Sequence, residues 1–417
     1  MIRYDSNVMR IGFEMNQLAD LISANNEAET NFRRKAIALP SLTGIRGATT
    51  IWVALHHIYG TVAMLLALPW LATSSLFANG YRGVDLFFVL SGFILMRSHG
   101  QDFRRLDPEA IRRFAVARFF RIYPLNTVIL LAMVPLVILA PGFVAAQRSF
   151  TSPQFMYKIH NLSFAGFVQS FLLVQTFTFA KLGEWNGPSW SLSAELLGYI
   201  LFPVLAFASM RQRSAMLCSL GAGLCLVALT GALVAGHHAY DNPTGIFGAV
   251  RMFGCFIAGM LAHRAIEIAG GPGARTGVIL TVVAVLFIGL TMLVPRLTVL
   301  DDFGFVLLIV GLAAQSGSVD RILRSRPLMW LGKISFSFYM IQETLFRIFI
   351  WCCRDPLLTT PILVRALALA TLLAVTLLLA WSLFNLVEKP SHRFGRRLAR
   401  PGDRSREPMM SARSEAA

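Results

Sequence analysis

Charge is what this sequence is short of. Only 14% of its 417 residues are charged, against about 25% in an ordinary soluble domain. Acid is scarcer than base, with 22 Asp and Glu against 38 Lys and Arg and a formal net charge of +16. The shortage excludes an ordinary soluble fold. It also argues against nucleic-acid binding, because no soluble basic domain exists to carry the excess arginine. The five cysteines (Cys218, Cys225, Cys255, Cys352 and Cys353) have neither metal-ligand spacing nor a disulfide pattern. They sit in apolar runs, where cysteine acts as a small hydrophobe. Residues 1–38 are polar and mixed in charge and lack an early apolar core, so no cleaved signal peptide is expected. The first membrane helix then serves as the insertion signal. No internal repeat is evident.

Apolar residues make up 55% of the chain and fall into long runs. Hydropathy places membrane spans at 45–67, 83–97, 124–142, 190–210, 214–236, 246–264, 277–295, 303–318, 330–352 and 362–386. A further stretch near 164–180 is shorter and is interrupted by Gln169 and Gln175, so it is expected to be a re-entrant or interfacial piece. Charge supports this count. The basic stretches at Arg33–Lys35, Arg104–Arg121, Arg211–Arg213, Arg264–Arg275, Arg321–Arg326 and Arg393–Arg406 all fall on the side of the termini. The opposite loops hold few basic residues: Arg82, Arg148, Lys158, Lys181, Arg296 and Arg354. The bias assigns the arginine-rich side to the cytoplasm. The expected fold is an all-α integral membrane bundle of about ten transmembrane helices with both termini cytoplasmic. Its parts are a cytoplasmic, partly disordered segment over 1–38, a membrane domain over 39–395 and a basic disordered tail over 396–417.

Ionisable groups inside spans normally face protein or water and mark functional paths. In SLTGIRGATTIWVALHHIYG, Arg46 and His57 are eleven residues apart. They therefore share a helix face and lie about 16 Å apart along the axis. A guanidinium at the mouth and an imidazole at depth suit a long anionic substrate, with His57 as general base. The competing reading is a snorkelling arginine and a histidine bonded to a neighbouring helix. Asp85, in RGVDLFFVLSGFILMR, could orient His57 and stabilise its cation, or could simply pair with Arg82 at i,i+3. Ser91 and Gly92 read as a close helix contact. In ARFFRIYPL, Arg118 and Arg121 are one turn apart and suit phosphate; the alternative is anchoring at the membrane surface. In NGPSWSLSAELLGYI, Glu195 could bind a sugar hydroxyl or a proton, or could pair with Arg251 or Arg347. LGKISFSFYMIQE adds Ser335, Ser337, Tyr339, Gln342 and Glu343, a set that also fits helix–helix hydrogen bonding.

Six segments in this order (SLTGIRG…HH, GVDLFFVLSGFI, RFFRIYP, WSLSAEL, LGKISFSFYM and VEKPSHR) resemble the membrane acyltransferase 3 family, across about residues 39–395. These are bacterial O-acyltransferases of surface polysaccharides, O-antigen and related glycans. The resemblance implies a ten-helix bundle and an acyl-CoA donor, usually acetyl-CoA. It maps the family's arginine–histidine motif onto Arg46 and His57 and its paired arginines onto Arg118 and Arg121. Asp85 and Glu195 fall in matching motifs. Two positions depart from the pattern: Thr43 stands where the family often has Asp, and Gln342 where it often has His.

The expectation is a multi-pass O-acyltransferase of the bacterial inner membrane, with no metal, working on a carbohydrate acceptor. Exopolysaccharide, O-antigen, a lipid-linked oligosaccharide and a small secreted molecule all fit. Arg46, Arg118 and Arg121 would hold acyl-CoA, and His57, Asp85 and Glu195 would form the catalytic set. The alternatives are a transporter with a buried proton relay and a family member without catalysis.

Overall fold

The structure is a computed structural model and describes residues 39–140, 162–177, 185–236 and 246–399. The 1–38 segment and residues 400–417 of the expected tail lie outside it, as do Arg148, Lys158 and Lys181. Among the described residues every regular element is helical. The long helices are α1 (Pro40–Leu65), α2 (Gly83–His99), α3 (Pro108–Leu139), α5 (Ser189–Arg211), α6 (Ala215–Ala235), α7 (Ile246–Ala269), α8 (Ala274–Leu293), α11 (Arg326–Leu358) and α12 (Ile362–Leu383). Shorter ones are α4 (Phe164–Leu172), α9 (Asp301–Leu312), α10 (Gly317–Leu323) and α13 (Lys389–Leu398).

Among the described residues six helices are long and apolar enough to cross a membrane: α3, α5, α6, α7, α8 and the continuous α12–α13. A seventh is added if α9 and α10, bent by 88°, count as one span. The 303–318 segment is thus two pieces. Alone, the 12 residues of α9 reach only about 18 Å, short of a hydrocarbon core of roughly 30 Å. The nine residues of α4 are shorter still. That helix is tied into the protein: the Asn126 and Tyr123 side chains donate to the Ser170 and Leu172 carbonyls. The helices carrying His57, Asp85 and the Ser335–Arg347 series are not among the six. Polar residues collect on these helices, and the more apolar ones, α7 apart, leave half or more of their apolar stretch unburied.

Local sequence explains the helix ends. Asp107 caps α3 by accepting from the Glu109 and Ala110 amides, with Pro108 in the first turn. Ser214 caps α6 in the same way. At 32 residues, α3 is about 48 Å long. It therefore begins well before the expected span, and Arg112, Arg113, Arg118 and Arg121 ride on the same continuous helix.

The most extensive helix contact is between α2 and α7. A Cβ on Gly92 would overlap the Phe256 carbonyl, and one on Gly259 would overlap that of Val89. Each helix thus supplies the glycine that admits the other's backbone. The apolar stretch of α7 is 61% buried and that of α12–α13 is 6% buried. This difference places α7 inside the bundle and α12 on its surface.

Candidate active site

A cavity of about 250 Å³ lies between α1, α2, α3, α5 and α11. Along α2 its wall runs from Val84 to Ser98, about 21 Å at helical rise. One end holds Arg46, Arg118, Arg121, Tyr199 and Ser335; the other reaches Ser191 and Tyr339. Four of the six residues singled out in the sequence, Arg46, Arg118, Arg121 and Glu195, therefore share one space.

Glu195 sits mid-wall. Ser91 Oγ and Tyr199 OH both donate to its Oε1, each at 2.7 Å. Neither Arg251 nor Arg347 reaches it, because each has another partner. Ser91 thus contributes to the site as well as to the α2 surface. Tyr199 was not singled out in the sequence, yet it lies four residues after Glu195, on the same helix face. The Arg118 guanidinium lies 5.5 Å from the Phe114 ring and 5.7 Å from that of Tyr199. Arg121 is 5.8 Å from the Phe336 ring. Aromatic faces hold both cations without neutralising them. The buried Nε of Arg118 has no hydrogen-bond partner among the described residues, so the arginine end offers unused donor capacity to an anion.

His57 lies beyond the cavity's far end. Its Nδ1 is 3.2 Å from the Gln342 side-chain nitrogen, and its Nε2 is 3.9 Å from Glu343 Oε2. Glu343 also pairs with Arg347, one turn further along α11. The cavity residues Ser335 and Tyr339 precede Gln342 by seven and three positions, which puts all three on one helix face. That face of α11 leads from the arginine end to the imidazole. The neighbouring His56 has a structural role: its Nδ1 meets the Phe77 carbonyl at 3.0 Å and its ring stacks on Tyr59.

Asp85 does not reach His57; its carboxylate is taken up by two arginines. Arg82 Nη1 meets Oδ2 at 2.8 Å, and Arg251 Nε and Nη2 each donate at 2.9 Å. Arg82 also faces Asp302 at 3.2 Å and Asp301 at 3.7 Å. All five side chains are at most 1% exposed. The local i,i+3 pair weighed against a catalytic role is the arrangement present, extended into a network across α2, α7 and α9. Donor atoms of Asp85, Cys255 and Asp302 lie within 4.8 Å of one another, but the guanidiniums already occupy the Asp85 oxygens.

The family model described as an acyltransferase domain, Acyl_transf_3, matches residues 39–384. Acyltransferase MdmB of Streptomyces mycarofaciens is 28% identical over 338 residues, covering 75% of this chain and 80% of that protein. No solved structure matches. The family match covers every helix from α1 to α12 and all six of the residues weighed above, and on it the chain belongs to the membrane acyltransferase 3 family.

Proposed function

We propose that this membrane acyltransferase moves an acetyl group from acetyl-CoA to a hydroxyl of a cell-surface or exported glycan. The observation that carries the proposal is the single cavity joining three guanidiniums and a carboxylate, continued by α11 to His57. Acyl-CoA is a long polyanion with a reactive thioester at one end. Arg118 and Arg121, with Arg46 beside them, suit its phosphates. A cavity about 21 Å long beside α2 suits the narrow pantetheine arm, whose amides can meet Ser91, Ser191 and Tyr339.

His57 accepts the proton of the acceptor hydroxyl as that oxygen attacks the thioester carbonyl. The carbon–sulfur bond breaks, and the CoA thiolate takes up the proton, leaving His57 neutral. Glu195 faces the donor side of this path. Held by two hydroxyls, it orients the bound thioester arm or a sugar hydroxyl. Asp85 keeps α2 and α7 in register, so that the wall carrying Ser91 stands opposite Glu195.

In this reading the protein sits in the inner membrane with ten spans and both termini cytoplasmic, as the arginine bias requires. The helices α1, α2, α9–α10 and α11 complete the ten around the polar interior. The donor then enters from the arginine side and the acceptor from the opposite one.

The test uses purified protein in lipid nanodiscs, labelled acetyl-CoA and extracted surface glycan. Ester formation that is lost in His57→Ala, with insertion unchanged, is expected. CoA release without ester on any glycan overturns the acceptor class; normal transfer by His57→Ala overturns the base assignment. A carrier with a proton relay would form no ester at all.

A further inference from the structure

The two positions following the cavity wall on α11, Gln342 and Glu343, have no part in the catalytic set read from the sequence. Both are nevertheless buried, and both face His57. Gln342 is fully buried and Glu343 is 5% exposed. The His57 side chain is 20% exposed, so the imidazole can be approached while its neighbours are sealed. From α11, Nδ1 meets the Gln342 side-chain amide at 3.2 Å and Nε2 faces the Glu343 carboxylate at 3.9 Å, and within α1 the ring also bonds the Val53 backbone one turn back.

We infer that Gln342 and Glu343 are the positioning pair of the active site. Gln342 fixes the proton on Nδ1, and Glu343 balances the positive charge that His57 acquires during transfer. The inference rests on the reading of His57 as base. Neutral imidazole has one donor and one acceptor nitrogen. For Nε2 to take a proton, Nδ1 must carry one and must donate it to an acceptor. The two ends of the Gln342 amide have the same shape, so its carbonyl can occupy the position 3.2 Å from Nδ1. The side-chain oxygen as placed is buried without a hydrogen-bond partner. Turning the amide brings this oxygen onto Nδ1–H and puts the amide nitrogen in the oxygen's buried place.

The protein also holds Glu343 firmly. Arg347, itself buried, pairs with it from the next turn. On the other side stands Gly187, where a Cβ would overlap the carboxylate itself. The Gly187 loop is anchored by the Asn186 amide, which donates to the Met340 carbonyl at 3.2 Å. At 3.9 Å the carboxylate is beyond hydrogen-bond distance from Nε2. The nitrogen therefore keeps its lone pair for an incoming hydroxyl and still has an opposite charge beside it once protonated. In this chain a glutamine–glutamate pair on α11 does the orienting and charge-balancing work that the Asp does in a Ser–His–Asp triad.

The experiment measures acetyl transfer by the full-length protein in nanodiscs for Gln342→Leu, Gln342→Glu, Glu343→Gln and Glu343→Gln/Arg347→Met, with His57→Ala as reference. The expected result is a kcat reduced about tenfold or more in Gln342→Leu, the scale of a lost hydrogen bond to a charged group, and in Glu343→Gln, which removes an opposite charge about 4 Å from the imidazolium. KM for acetyl-CoA should stay within about twofold in both. Gln342→Glu, an acceptor at the same place, should recover most of the rate that Gln342→Leu loses. The double variant leaves no unpaired guanidinium, so its rate separates loss of the carboxylate from misfolding. Inactive His57→Ala together with wild-type kcat in Gln342→Leu and the double variant overturns this inference alone. Active His57→Ala overturns it together with the base assignment. A Gln342→Glu rate no better than that of Gln342→Leu overturns the assigned proton position.

Discussion

Asp85 and Arg251 form a two-point ion pair, with Nε and Nη2 each 2.9 Å from a carboxylate oxygen. The pair ties α2 to α7 about one to two turns from the Gly92 and Gly259 contacts, where the two backbones meet. The Arg251 guanidinium also lies within 6 Å of the Tyr81 and Trp190 rings (5.9 and 5.6 Å). Removing one member of a buried pair leaves the other charge uncompensated, at a cost of about 3–5 kcal/mol. Asp85→Asn should therefore lower the midpoint of thermal unfolding in detergent before it affects chemistry. Asp85→Asn with an unchanged midpoint and an abolished rate would instead give Asp85 a direct part in transfer.

Arg118→Gln and Arg121→Gln should act on donor binding. A charged hydrogen bond of about 1.5–3 kcal/mol corresponds to a rise in acetyl-CoA KM of roughly tenfold to a hundredfold. Steady-state kinetics at fixed acceptor concentration checks this. If kcat falls and KM is unchanged, the arginines act on the transition state and not on the donor's phosphates.

Ser91 and Tyr199 share a single oxygen of Glu195, so their effects should not add. A double-mutant cycle of Ser91→Ala and Tyr199→Phe should show a coupling of about 0.5–3 kcal/mol in transfer. Additive losses would mean that the two hydroxyls serve separate ends of the cavity.

Gly92→Val should separate α2 from α7, because its new carbons meet the Phe256 carbonyl. Overpacking typically costs about 1–3 kcal/mol, and here the obstacle is backbone that cannot turn aside. Size-exclusion profiles of the solubilised protein should show a loss of the monodisperse peak. The same substitution at Gly223, where a Cβ would meet nothing, should leave the profile intact.

Much of the helical layout was legible in advance. Apolar runs of twenty or so residues leave little choice besides helix, because backbone amides in lipid must bond internally. Arg118 and Arg121 could be grouped because one helical turn fixes their shared face, and Arg46 and His57 because eleven residues return to the same face. The local Arg82–Asp85 pair was legible from its i,i+3 spacing, but the partner of a buried charge on another helix was not. Glu195, Asp85 and Glu343 are all acids within largely apolar helices, and Arg82, Arg251 and Arg347 are all buried bases. Which acid meets which base depends on how the helices rotate and pack. The bend after Leu312 was hidden as well, because hydropathy averages across the turn that divides α9 from α10.

By itself the sequence determined that this is a helical membrane protein, which face of each helix carries its polar residues and, through six ordered segments, the family. Those properties follow from composition and helical period, which are local. Only the tertiary structure decided that Arg46, Arg118, Arg121 and Glu195 line one cavity, that Asp85 belongs to a buried ion-pair network, and that His57 meets Gln342 and Glu343. Each of these depends on contacts between residues up to 286 positions apart (57 to 343). Such contacts are set by the packing of whole helices and by the glycines that let them approach, and no short stretch of sequence carries them.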